Sequence, residues 1–134
     1  MNRITPRAII RLLRFMNEHP NPDVRDSFYR SLAVGGRTGT LERRFRDGPG
    51  YGNVHAKTGF INNVRTLSGF VTSASGEMIA FAIFYNGRST SPARGVQTDL
   101  GVLMAEYGTR PAPADSAAWT RCTTRCVLAG ETSP

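Results

Sequence analysis

The chain has 134 residues, of which 40% are hydrophobic, 20% charged and 9% aromatic, the make-up of one ordinary globular domain and not of a collagen-like, coiled-coil or strongly disordered chain. It contains no run of 18 apolar residues, so no membrane-spanning helix is expected, and the first 15 residues, with arginines at 3, 7, 11 and 14, show no secretory leader. The net charge of +7 lies entirely in residues 1–67, which hold 12 basic and 5 acidic side chains against five of each in residues 68–134; Lys57 is the one lysine beside 16 arginines, unlike the mixed Lys/Arg surface with interleaved aromatics of a typical nucleic-acid binder.

Residues 5–19 read as a helix. Thr5 suits the N-cap, Pro6 the first helical position, and Ile9, Ile10, Leu12, Leu13 and Met16 fall on one stripe. His19-Pro20 stops it, since the residue before proline is pushed out of the helical region, and Asn21-Pro22 repeats the start signal for a shorter helix over 22–31 that should bury Val24, Phe28 and Leu32. Residues 33–53 carry six glycines and read as a loop, with a segment of undecided state at 41–45. Three strands are then expected in antiparallel order, at 54–57 (ending at Gly59), 66–72 and 78–85. The turn Ala74-Ser75-Gly76-Glu77 joins the last two, and the third is apolar on both faces. A closing helix over 92–107 carries Val96, Leu100, Leu103, Met104 and Tyr107 at helical spacing and stops at Gly108. Residues 109–134, with three prolines and few large aliphatic side chains, read as a disordered tail.

Few side chains have the spacing of a reactive site. Cys122 and Cys126 are four apart with no histidine near them, too few ligands for zinc, so no metal and no cofactor is expected. His19 and His55 read as solvated or structural, and nothing assembles a Ser-His-Asp arrangement around them.

Lys57-Thr58-Gly59 stands out because it ends a strand, follows a glycine-rich loop and precedes a hairpin. Lys-Thr-Gly is the third motif of β-lactamases and penicillin-binding proteins, after Ser-x-x-Lys and a Ser-x-Asn type element. With Leu67-Ser68-Gly69-Phe70-Val71-Thr72, Ser75-Gly76-Glu77-Met78-Ile79-Ala80-Phe81, the upstream Ser31-Leu32-Ala33-Val34-Gly35-Gly36 and Gly39-Thr40-Leu41, the chain resembles the carboxy-terminal part of the D-alanyl-D-alanine carboxypeptidases/endopeptidases of the class C penicillin-binding type. The resemblance covers residues 2–108 and implies an α+β fold: part of a β-lactamase/transpeptidase-like domain, a three-strand antiparallel meander with flanking helices. It makes residues 1–108 the carboxy-terminal portion of that domain.

The resemblance further implies serine-type D-Ala-D-Ala peptidase work on peptidoglycan stem peptides, an acyl-enzyme that β-lactams also form in the full-length enzyme, and a periplasmic or extracytoplasmic setting. By position, Lys57 supplies a cation and Thr58 a hydroxyl donor for the terminal carboxylate of the substrate. Gly59 allows close approach of an extended peptide, the backbone N–H of Phe60 lies in the oxyanion hole, and Asn2 falls where the second-motif asparagine belongs. The pattern is broken in three places. Val54, not serine, stands three residues before the only lysine, so Ser-x-x-Lys is absent; Phe60 replaces the usual serine or threonine after Lys-Thr-Gly; and Thr38 replaces the acidic residue before Gly39. Without an activated nucleophile the chain is expected to be a fragment and inactive alone. The alternative, a small basic nucleic-acid-binding protein, would show itself by a steep fall of oligonucleotide affinity with salt.

Overall fold

The structure, a computed structural model, describes residues 4–87 and 91–108. Asn2, Cys122, Cys126 and the expected tail lie outside them. Helix α1 (Pro6–Asn17) starts as its sequence dictates, with Thr5 Oγ1 accepting the Ala8 N–H at 3.2 Å and Pro6 in the first turn. Helix α2 (Pro22–Ser31) repeats the device, the Asn21 carboxamide oxygen accepting the Asp23 N–H at 2.9 Å. No helix among the described residues is long and apolar enough to cross a membrane.

The glycine-rich stretch is more ordered than a loop. It forms a short strand β1 (Ala33–Val34) and two 3-10 turns, Gly39–Leu41 and Gly48–Gly50. Strands β2 (His55–Ile61), β3 (Val64–Thr72) and β4 (Met78–Asn86) follow, then helix α3 (Ser91–Glu106). All four strands pair antiparallel in the order β1-β2-β3-β4, so the expected meander is present and gains a short strand beside its first member. Strand β2 also runs past Gly59, where the sequence suggested an end. Gly59 pairs with Thr66 inside a continuous seven-residue ladder, and the chain reverses at Asn62-Asn63, with Asn62 in the left-handed region at φ 44°.

Strand alternation sends side chains to two cores. On one face Ala56, Leu67, Val71 and Phe81 pack with Leu41, Phe45, Val54 and Ala105; on the other Phe70 packs with Leu13 and Leu32, backed by Ile9, Ile10, Phe28, Tyr29 and Ala80. Helices α1 and α2 thus cover one face and α3 the other. Two expected stripes need correction. Val24 is exposed, leaving the partly buried Phe28 and the buried Leu32 as the anchors at the end of α2. In α3 the buried line is Ala93, Gln97, Gly101 and Ala105, while Val96, Leu100, Leu103 and Tyr107 face outward.

The physical reason for the second correction is Phe45. This residue adopts φ 55°, uncommon for a non-glycine residue. Its ring lies in a socket of glycine backbones: a Cβ at Gly101 would stand 2.7 Å from Phe45 Cε1, and one at Gly50 would stand 2.8 Å from Cδ1. Only the small-residue side of α3 can approach that ring, so its large aliphatic residues are turned away. The loop below is fastened by Asn53, whose amide donates to the carbonyls of Pro49 (2.9 Å) and Thr72 (2.8 Å) while its oxygen accepts the Thr72 N–H at 2.9 Å.

Candidate functional site

Strand β1 covers β2 only as far as Ala56, where Ala33 pairs with it, so from Lys57 to Ile61 the β2 edge has no strand beside it among the described residues. The orientation of that edge follows from one bond. The Gly35 N–H donates to the Val54 carbonyl at 2.8 Å, which places the backbone groups of Val54 on the β1 side. Backbone groups in an antiparallel strand alternate sides residue by residue. Ala56, Thr58 and Phe60 therefore also direct their N–H and C=O groups to that side, whereas His55, Lys57, Gly59 and Ile61 bond to β3. The N–H groups of Thr58 and Phe60 consequently project from an open edge.

The side chains alternate in the other sense. Lys57 leaves the α1/α2 face and is exposed; its Nζ donates to the Thr58 carbonyl at 2.5 Å. Thr58 leaves the α3 face, on the same side as Leu67, and its hydroxyl donates to Thr40 Oγ1 at 2.9 Å. The cation and the hydroxyl do not meet on one face of the sheet; they flank the open edge, one above and one below. Thr40 is 18 residues upstream and its part in this edge has no local sequence signal; only the 3-10 turn Gly39–Leu41 brings it there. Val54, at the position a Ser-x-x-Lys serine would take, is fully buried in the core and contributes nothing to the edge. Among the described residues no three His, Cys, Asp or Glu side chains gather into a metal site.

His55, two residues before Lys57, stacks on Tyr29 with ring centroids 4.3 Å apart and planes 24° from parallel. Its Nδ1 is buried and has no hydrogen-bond partner among the described residues. Burial holds the imidazole below its ordinary pKa; a hydrogen bond with the Gly52 backbone works the other way, and the Arg37 charge adds the smallest push, downward. The unfolded chain therefore takes up this proton at higher pH than the folded one. The stability from a neutral His55 is fully present above the ordinary histidine pKa and is lost as pH falls from there through the lower pKa of the folded state. His55→Phe, which keeps the ring stack and removes the titration, is expected to flatten the slope of urea stability between pH 7 and 5; an unchanged slope would assign it to other groups. His19 is structural as expected, its Nδ1 accepting the Asn21 N–H at 3.1 Å in the turn before α2.

The profile of the D-Ala-D-Ala carboxypeptidase 3 (S13) family matches residues 1–107. A D-alanyl-D-alanine carboxypeptidase of an Actinomadura species is 41% identical over 88 residues, which are 62% of this chain and 16% of that protein. The D-alanyl-D-alanine carboxypeptidase DacB of Haemophilus influenzae is 32% identical over 91 residues, 66% of this chain and 18% of that one. The chain thus spans less than a fifth of the length of these curated relatives. Among solved structures, penicillin binding protein 4 (dacB) of Haemophilus influenzae superposes with a TM-score of 0.68 at 28% identity, over 78% of this chain and 25% of that one. The same protein complexed with a novel beta-lactam gives a TM-score of 0.67 at 26% identity, covering 78% and 26% of the two chains.

Proposed function

The chain belongs to the D-Ala-D-Ala carboxypeptidase 3 (S13) family, and from that premise we propose that the open edge of β2 is the half of a peptidase site that holds the substrate. The observation that carries this reading is the placement of Lys57, Thr58, Gly59 and Phe60 on the unpaired edge with two backbone N–H groups projecting from it. An extended peptide can lie along such an edge as an added strand, and Gly59 lets its backbone come close. A terminal carboxylate is then met by the Lys57 ammonium from one side and the Thr58 hydroxyl from the other, a charge-assisted pair of contacts. The Phe60 N–H, which projects from the same edge, is assigned to the oxygen of the scissile carbonyl, where a backbone donor lowers an acyl-transfer barrier.

The ligand class is a peptidoglycan stem peptide ending in D-Ala-D-Ala, with β-lactams as acylating mimics wherever a nucleophile is supplied, in an extracytoplasmic setting. Asn2 is assigned to the second motif on sequence position alone. In these 134 residues the only lysine is Lys57 and no Ser-x-x-Lys exists, so the step from bound peptide to acyl-enzyme has no nucleophile here. The chain on its own therefore binds and does not turn over.

The test takes the purified chain with a fluorescent penicillin and with a peptide ending in D-Ala-D-Ala. The expected result is no covalent label, no released D-alanine, and amide shifts at residues 57–60 on peptide addition. Lys57→Ala should weaken that binding by about 1.5–3 kcal/mol, the range for a hydrogen bond to a charged group. Stoichiometric labelling would overturn the half-site reading; absence of peptide binding would overturn the edge assignment.

A further inference from the structure

Past Ala56, strand β2 is held among the described residues from one side only, by β3. Gly59 and Ile61 bond to that strand at their pairs with Thr66 and Val64, whereas Phe60, between them, faces Arg65 in a pair whose backbones do not bond to each other. The peptide unit that carries the Phe60 N–H is therefore tied to β3 through its Gly59 carbonyl alone, and Gly59 has no side chain to limit its rotation. Apolar burial does not hold this position either, since the Phe60 side chain is 64% exposed.

The restraint comes from across the ladder. Side chains approach most closely in a non-bonded antiparallel pair, and the Arg65 guanidinium lies 4.4 Å from the Phe60 ring centroid, inside the range at which a ring face attracts a cation. Arg65 makes no hydrogen bond or ion pair with a described residue, and its buried Nε has no acceptor among them. The Phe60 ring is the partner left to its charge. Arg65 itself sits on an inner strand, in register with Phe60 on one side and Tyr85 on the other. The better-anchored residue thus restrains the edge.

We propose that Arg65 is a positioning residue for the site on the β2 edge: by holding the Phe60 ring it fixes the strand past Gly59 and keeps the Phe60 N–H directed out of the edge. The inference rests on the assignment of that edge to the peptide and adds to it the group that steadies its second backbone donor. Phe60 and Arg65 then form one device, because a serine or threonine at position 60 would give the guanidinium no ring to lie on.

Nitrogen-15 NMR of the full 134-residue chain tests this, with Arg65→Leu, Arg65→Lys, Phe60→Leu and the double variant Phe60→Leu/Arg65→Leu, each checked for fold by circular dichroism. In the free chain the order parameter of the Phe60 N–H should lie near the rigid-backbone value of about 0.85 and fall below about 0.6 in Arg65→Leu and Phe60→Leu. Thr58 should be unaffected, Arg65→Lys should restore the parent value, and the double variant should be no worse than either single one. On addition of a peptide ending in D-Ala-D-Ala, Arg65→Leu should largely abolish the Phe60 amide shift, keep those of Lys57 and Thr58, and weaken binding by roughly two- to fivefold. Should Arg65→Leu fail to fold, Phe60→Leu, at an exposed position, carries the same test. An unchanged Phe60 order parameter, equal loosening of Thr58 and Phe60, no rescue by lysine, or an undiminished Phe60 shift beside those of Lys57 and Thr58 would overturn the role of Arg65 alone. A peptide that shifts none of residues 57–60 in the parent chain would overturn the edge assignment, and the role of Arg65 with it.

Discussion

Gly69→Ala is expected to abolish the cooperative urea transition of the chain, while Gly95→Ala, a change of the same size, should move its midpoint upward. Gly69 lies in the middle of β3, paired with Ala56 on one side and Phe81 on the other. A Cβ there would meet the His55 carbonyl oxygen and stand 2.6 Å from Ala56 Cα and 2.7 Å from Ala56 Cβ. These are backbone and near-backbone atoms of the next strand, and a rotamer change cannot relieve the contact. Strand β2 must move away from β3, and the pairs His55–Phe70, Ala56–Gly69 and Lys57–Ser68 are lost or stretched together. The cost should be about 3 kcal/mol or more, above the usual range for overpacking because backbone has to shift. Small domains are stable by only about 5–15 kcal/mol. Gly95, by contrast, is an exposed position inside α3 with no atom within 4 Å of an added Cβ, so alanine there should add about 0.5–1 kcal/mol. The displaced strand is the one that carries Lys57, Thr58 and Phe60, so in Gly69→Ala peptide binding at the edge should disappear with the transition. A Gly69→Ala protein with wild-type midpoint and intact peptide shifts would show that β2 is not held by this close approach.

What could be read from the sequence is what short-range chemistry determines. Thr5-Pro6 and Asn21-Pro22 set helix starts within a turn of themselves, and both caps form. Lys57-Thr58-Gly59 is contiguous, and alternation within one strand is enough to place its side chains on opposite faces. The errors lie where a distant partner decides. The spacing of Val96, Leu100 and Leu103 is a sound helical pattern, yet the buried side of α3 is chosen by Phe45, some 50 residues upstream, and by the absence of a side chain at Gly101. The same holds for Thr40 against Thr58, for the Asn53 fastening to Thr72, and for Arg44 against Thr98. None has a periodic or local signature, because each is made by chain folding over a long sequence separation. Gly59 misled for a related reason: a glycine read alone weakens a strand, but a ladder of paired residues on both sides carries the strand through it.

The chain in isolation is expected to self-associate through the outer edge of β4. Among the described residues β4 pairs only with β3, leaving one side of a nine-residue strand without a partner. That strand, Met78–Asn86, has no charge and no proline to discourage pairing with another chain. Apolar surface adds to the tendency: Leu12 and Phe15 of α1 and Val96 and Leu103 of α3 are each about half exposed or more, and every square ångström they bury on association contributes about 25 cal/mol. The direction of the β4 backbone groups follows from the register. Residues 55, 57, 59 and 61 bond to β3, so 64, 66, 68 and 70 face β2, and 65, 67, 69 and 71 face β4. Their partners Ile79, Phe81, Ile83 and Tyr85 point inward, which turns the N–H groups of Ala80, Ala82 and Phe84 to the free edge. Ala82→Pro therefore removes an outward donor without breaking an existing ladder bond, a position where strands tolerate proline. Size-exclusion chromatography over a concentration series should show oligomers for the parent chain and a shift toward monomer for Ala82→Pro, with the β signature in circular dichroism retained. A parent chain that elutes as a monodisperse monomer and melts cooperatively above about 50 °C, in the usual range for mesophile domains, would show that residues 1–108 are self-sufficient. Oligomers unaffected by Ala82→Pro would move the contact from the strand edge to the apolar faces of α1 and α3.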